Sequence, residues 1–261
     1  MQMKSVAMVV GLLVVVSAAG VLFAPAAATT HGKNILIYGP SMGQILTPEW
    51  TYNEATIASD LGHTVTVADP QTWVGMSEAE FAAFDAIVFG DPKCGVGTLM
   101  LEPANYNKAV WSPVIRGPTI VIGTTPQLYQ FAPNTEDREL IANGISFALS
   151  GTETGLYVSL ACYYAQAAPN TPVDFLSQVG DFQVAGREGC TGEVTITSPD
   201  HPAMAGLTSI GQPVGRCATQ ELLSAYPGSL EALATALRPS DGALLPFIVA
   251  SPYEATGEPP L

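Results

Sequence analysis

Short apolar runs alternate along the chain with longer segments whose apolar residues fall three and four positions apart. The first run, "NILIYG" from Asn34, predicts a strand. "TYNEATIASDLG" after it predicts a helix with Ile57, Ala58 and Leu61 on one face and Gly62 as its stop. "HTVTVAD" reads as a second strand, and "MSEAEFAAFD" as a helix capped by Ser77 with Glu80 at the capping-box spacing. "AIVFGDP" predicts a third strand, Asn105 to Ile115 a helix broken by Pro113, and "PTIVIGT" a fourth strand. "NTEDRELIANGISFALSG" predicts a helix capped by Asn134 or Thr135 and ended by Gly151, and "GLYVSLA" a fifth strand.

Strands that are apolar on both faces and separated by helices belong to a parallel sheet covered on each side. The expected fold is α/β, a doubly wound and mainly parallel sheet. Past Cys162 the alternation weakens: "TPVDFLSQVG" reads as helical, "DFQVAG" and "GEVTITS" as strands, and "ALLPFIVAS" as a last buried strand. No repeat or long linker interrupts the chain, which predicts a single domain over residues 34–251. Residues 252–261, "PYEATGEPPL", read as a disordered tail or the stub of a linker.

The segment before this domain has a different pattern. A short basic start at Lys4, an apolar run from Val6 to Phe23, and "APAAATT" predict a secretory signal over residues 1–28, cleaved after Ala28. The competing expectation is an uncleaved membrane anchor. Cleavage removes Lys4 and moves the net charge from −14 to about −15. With only nine Lys and Arg and no basic patch, nucleic acid and anionic membranes are poor partners. A secreted or cell-surface location is expected, with no membrane contact beyond the signal. The hydrophobic content of 48% supplies a core and excludes disorder for most of the chain.

Outside the cell, four cysteines, Cys94, Cys162, Cys190 and Cys217, predict two disulfides. Three pairings are open. The shorter loop would join Cys190 to Cys217 and leave Cys94 with Cys162. None lies in a C-x-x-C pair and the chain has three histidines, so no metal site and no cofactor is expected.

In an open parallel sheet, loops at the carboxyl ends of strands form the ligand crevice. Those loops carry Gly39-Pro40-Ser41, Asp69, Asp91-Pro92-Lys93-Cys94, Thr124-Thr125 and Cys162-Tyr163-Tyr164. The expected binding residues are Gly39, Ser41, Asp91, Thr124, Thr125, Tyr163 and Tyr164, facing a small molecule, a glycan or a surface ligand. "GDPKCGVG" is glycine-rich but opens no evident helix, so a pinned loop is expected there rather than a phosphate cradle. Trp50, Trp73 and Trp111 either line this crevice or fill the core.

Gly39-x-Ser41-x-Gly43 has the spacing of a nucleophile elbow. His201 in "SPDHPAMAG" could act as base, with Asp91, Asp174 or Asp200 as the orienting acid. A serine after the first strand and a late His-Pro resemble SGNH (GDSL-type) esterases. However, Pro40 replaces the aspartate of Gly-Asp-Ser, and Ser198 replaces the aspartate three residues before the histidine. The alternative role for Ser41 is to bind backbone amides in a Gly-Pro loop. His201 likewise lies in a turn where it can bond local backbone. His63 is expected at the carboxyl end of the preceding helix, and His31 lies beside the cleavage site.

The succession of "NILIYG", "HTVTVAD", "FDAIVFGDP", "PTIVIGT", "GLYVSLACYY" and "DHPAMAGL" resembles the class I glutamine amidotransferase-like superfamily, which is flavodoxin-like in fold. "HPAMAGL" is similar to the His-Pro-x-x-x-Gly-Leu stretch of its ThuA-like members. The resemblance covers most of the mature chain and implies a nucleophile position at Cys162. The active enzymes flank that cysteine with glycines and follow the histidine with a glutamate. Here Ala161 and Tyr163 flank Cys162, and Pro202 and Ala203 follow His201. An imidazole without an orienting carboxylate is a poor base. The resemblance therefore implies a domain without cysteine chemistry, a non-catalytic binding or surface-associated module. The alternative is a secreted ester hydrolase using Ser41 and His201.

Overall fold

β1 (Asn34–Tyr38) is buried from Ile35 onward, with Ile35 and Ile37 facing one layer and Leu36 and Tyr38 the other. This is the strand geometry that an apolar run without alternation demands. The computed structural model describes residues 32–42, 54–90, 97–124, 136–164, 167–186, 194–208, 210 and 221–253. The described part of Gly32–Leu261 is one compact unit.

The parallel strands are β1, β2 (Thr64–Ala68), β3 (Ala86–Phe89), β4 (Thr119–Ile122) and β5 (Gly155–Ser159). In space they run β2-β1-β3-β5-β4. Three later strands extend the sheet antiparallel beyond β4: β11 (Leu244–Ala250), β10 (Glu231–Leu237) and β8 (Val194–Ile196). Ile248 of β11 lies opposite Ile122 of β4, and Ala250 opposite Ile120. A separate three-stranded sheet joins β6 (Thr171–Pro172), β7 (Gln183–Val184) and β9 (Leu223–Ala225). The chain is thus α/β with a mixed, mostly parallel main sheet.

Helices cover both faces. On one side, α1 (Glu54–Asp60) packs with α6 (Glu136–Ala148), whose Leu140, Ile141, Ile145 and Ala148 form the buried stripe. Gly144 of α6 lets the Tyr157 ring of β5 approach, since a Cβ there would lie 2.8 Å from the ring. On the other side lie α2 (Pro70–Gly75), α3 (Glu78–Phe81), α4 (Glu102–Tyr106) and α5 (Lys108–Trp111). Trp73, Phe81, Phe89, Trp111 and Phe175 interlock there edge to face, with Trp73 4.9 Å from Tyr38 and Phe89 5.0 Å from Phe175. The tryptophans of α2 and α5 are core residues, each contributing several kcal/mol of burial, on the order of 3–5 kcal/mol if truncated.

Several local expectations change. Leu61 is 43% exposed rather than part of the buried face of α1, and Gly62, at φ +86, ends that helix. Ser77 and Glu80 form the capping box, but α3 is one turn long. The helix expected over Asn105 to Ile115 is instead the end of α4, then α5, then a 3-10 turn, Ser112–Val114, where Pro113 cannot continue the α ladder. "TPVDFLSQVG" yields only β6 and a 3-10 turn, Asp174–Leu176, because Thr171 and Pro172 pair with β7. The helix over "NTEDRELIANGISFALSG" stops at Ala148, short of Gly151. Asn134 and Thr135 lie outside the described residues, as do residues 1–31 and 254–261.

Candidate functional site

Strand order reverses between β1 and β3: the chain leaves β1 for β2 on one side and β3 for β4 and β5 on the other. Crossovers that diverge in this way open a crevice at the carboxyl ends. Ser41 sits there, fully buried in the 3-10 turn Gly39–Ser41. Its hydroxyl donates to the Tyr38 carbonyl at 2.5 Å and accepts the Gly90 amide at 2.8 Å. Gly39 is needed for a close approach, since a Cβ on it would lie 2.7 Å from the Ala68 carbonyl oxygen.

Glu54, the first residue of α1, is also fully buried, and its carboxylate lies where a Cβ on Gly90 would be, 2.8 Å away. A carboxylate in the first helical turn is favoured by the helix dipole. Further along the sheet, Ser159 at the end of β5 donates to the Thr124 carbonyl at 3.0 Å. Thr124 is fully buried, and its Oγ1 has no hydrogen-bond partner among the described residues. Glu221, 1% exposed, accepts the amides of Gly186 and Leu222 through Oε1, each at 3.2 Å. Tyr163 and Tyr164 follow β5 in a short helix, α7 (Ala161–Tyr164), and both are buried. Burial, with the charges of Asp174 and Glu221, pushes the Tyr164 hydroxyl far above the usual phenol range. Two buried carboxylates thus lie past the carboxyl ends of the parallel strands, Glu54 beside Gly90 after β3 and Glu221 beside Gly123 after β4.

His201 lies elsewhere. Its Nδ1 accepts the Ala203 amide at 3.2 Å, which caps the 3-10 turn Pro202–Met204, and its Nε2 meets the Ser251 carbonyl at 3.1 Å. Ser251 in turn donates its amide to the Thr119 carbonyl, at the amino end of β4. The imidazole packs edge to face on Phe147, with centroids 4.5 Å apart, and Tyr253 approaches it at 6.1 Å. Burial lowers its pKa, while the Ser251 carbonyl and Glu231 pull the other way. Ser41 therefore lies past the carboxyl end of β1, whereas His201 lies beside Ser251 at the amino end of β4, and the four strand spacings from β1 to β11 alone offset them laterally by about 19 Å. The structure does not bring them together.

The remaining candidates fall as follows. Asp69 caps α2 by accepting the Thr72 amide at 2.7 Å. Asp174 and Asp200 are exposed, and Asp200 lies in the turn beside His201. The backbone amide of His63 closes α1 on the Ala58 carbonyl, while its Nδ1 accepts the Lys33 amide at 3.3 Å. Asp91, Thr125, Trp50, His31, Cys94, Cys190, Cys217 and the Cys162 side chain lie outside the described residues. Glu54, Ser159 and Glu221 were not among the residues expected from the sequence. The only signal for the two glutamates was a lone acid beside an apolar segment, in "NEATIA" and "QELLS".

No protein-family model matches the chain, and no match was found among curated proteins or among solved structures.

Proposed function

We propose that this chain is an exported, disulfide-stabilised binding module related to the class I amidotransferase-like domains, and that it recognises its ligand at the carboxyl-end crevice. The observation that carries this reading is the Ser41 hydroxyl, buried and spent on the Tyr38 carbonyl and the Gly90 amide, while the His201 imidazole is engaged with Ala203 and Ser251 elsewhere in the sheet. A serine nucleophile needs a base within hydrogen-bond reach. The β2-β1-β3 reversal supports the flavodoxin-like ancestry, since that switch point is where such folds hold ligands. Among the described residues no helix is long and apolar enough to cross a membrane.

The test uses the purified mature protein and a fluorophosphonate probe. The expected result is no adduct and no turnover of short p-nitrophenyl esters. An adduct mapped to Ser41, absent in Ser41→Ala, overturns the reading in favour of an ester hydrolase.

A further inference from the structure

A pocket of about 140 Å³ opens beside α7. Glu102 and Asn105 of α4, Tyr164 of α7, and Asp174 and Phe175 of the turn Asp174–Leu176 line it. Leu101 also lines it, next in the chain to Met100, whose carbonyl accepts the Tyr38 hydroxyl at 2.7 Å. One polar group in its wall is left over: Asn105 Oδ1 is buried with no partner among the described residues. Buried polar atoms are almost always paired, by a guest where not by the protein.

The rest of the wall shows what the guest is. Glu102 and Asp174 are exposed at the rim and add two carboxylates, so the lining is dominated by acceptors. Lys108 Nζ bonds the Asp174 main-chain carbonyl at 2.9 Å and offsets one of those charges, leaving the rim negative. Phe175 and Tyr164 supply aromatic surface. Aromatic faces and carboxylates together favour a cation over an anion or a neutral polyol. A net charge of −14 raises the local concentration of cations. A cavity of about this volume accommodates a guest of roughly benzene's size.

We infer that this pocket binds a small primary organic ammonium, its N–H groups directed to Glu102, Asp174 and Asn105 Oδ1 and its alkyl part lying against Phe175 and Tyr164. The inference rests on the binding-module reading and names its ligand class. The test titrates the full mature protein with n-butylammonium chloride and, separately, n-butanol at low salt, by calorimetry and by NMR of the tyrosine ring resonances. Saturable binding of the ammonium is expected, at least about tenfold tighter than the alcohol, weakened about tenfold in a folded E102Q/D174N variant. Equal affinity for the alcohol, no saturable binding, or an unchanged affinity in that variant overturns it. Should the double variant fail to fold, N105L alone serves: it removes the buried acceptor and is expected to weaken binding about fivefold, and an unchanged affinity overturns the inference. A fluorophosphonate adduct at Ser41 would sink the binding-module reading and leave this titration unaltered, so the two failures are distinguishable.

Discussion

The Ser41 hydroxyl accepts the amide of Gly90 at 2.8 Å, so one side chain pins the carboxyl ends of β1 and β3 together at the point where strand order reverses. A serine in this position is a crosslink. Replacing it by alanine strands the Gly90 N–H in a dry site. Ser41→Ala is therefore expected to lower stability by about 1–3 kcal/mol, read from urea unfolding. An unchanged midpoint would mean that the bond carries no net energy.

Gly155 opens β5 between two backbones. A Cβ there would overlap the Ala148 carbonyl and lie 2.8 Å from the Pro118 carbonyl oxygen, and neither atom is the end of a flexible side chain. Gly155→Ala is expected to cost about 3 kcal/mol or more. Thermal unfolding followed by circular dichroism measures it.

His201 titrates below its ordinary value because burial penalises the imidazolium, and the Ala203 amide needs Nδ1 unprotonated. Its stabilising contribution is complete above the unfolded value of about 6.5 and is lost as pH falls through the lower folded value. Urea midpoints of the native protein should thus drop between neutral and mildly acidic pH, and drop less in His201→Gln. Some slope remains in the variant, since His63 is shifted the same way. Parallel slopes for the two proteins would remove His201 from this role.

The four cysteines are expected to yield no free thiol in the denatured, unreduced mature protein, and reduction should lower its thermal midpoint. A thiol count under those conditions decides it. A free Cys162 would reopen cysteine chemistry.

The parallel strands β1 to β5, β11 and the Ser77 capping box were legible because each is a local signal: an apolar run, or a serine three residues before a glutamate. β10 was not. "EALATAL" has the composition of a helix, yet it lies between β11 and β8, and pairing on both edges overrides propensity. The loop at Ser41 could be read, but Gly90, its partner, is 49 residues away. Glu54 was hidden for a different reason. A helix glutamate ordinarily faces water, and only the missing side chain at Gly90 makes room for it inside.

β11, later in sequence than every other described strand, is inserted between β4 and β10 with Phe247 to Ala250 fully buried. Until that segment arrives, the flank of β4 is an open row of backbone donors and acceptors beside an apolar surface. A nascent or proteolytically clipped chain lacking it would offer a sticky template to its neighbours, so the assembly pathway must keep the segments that precede β11 soluble before the sheet can be completed.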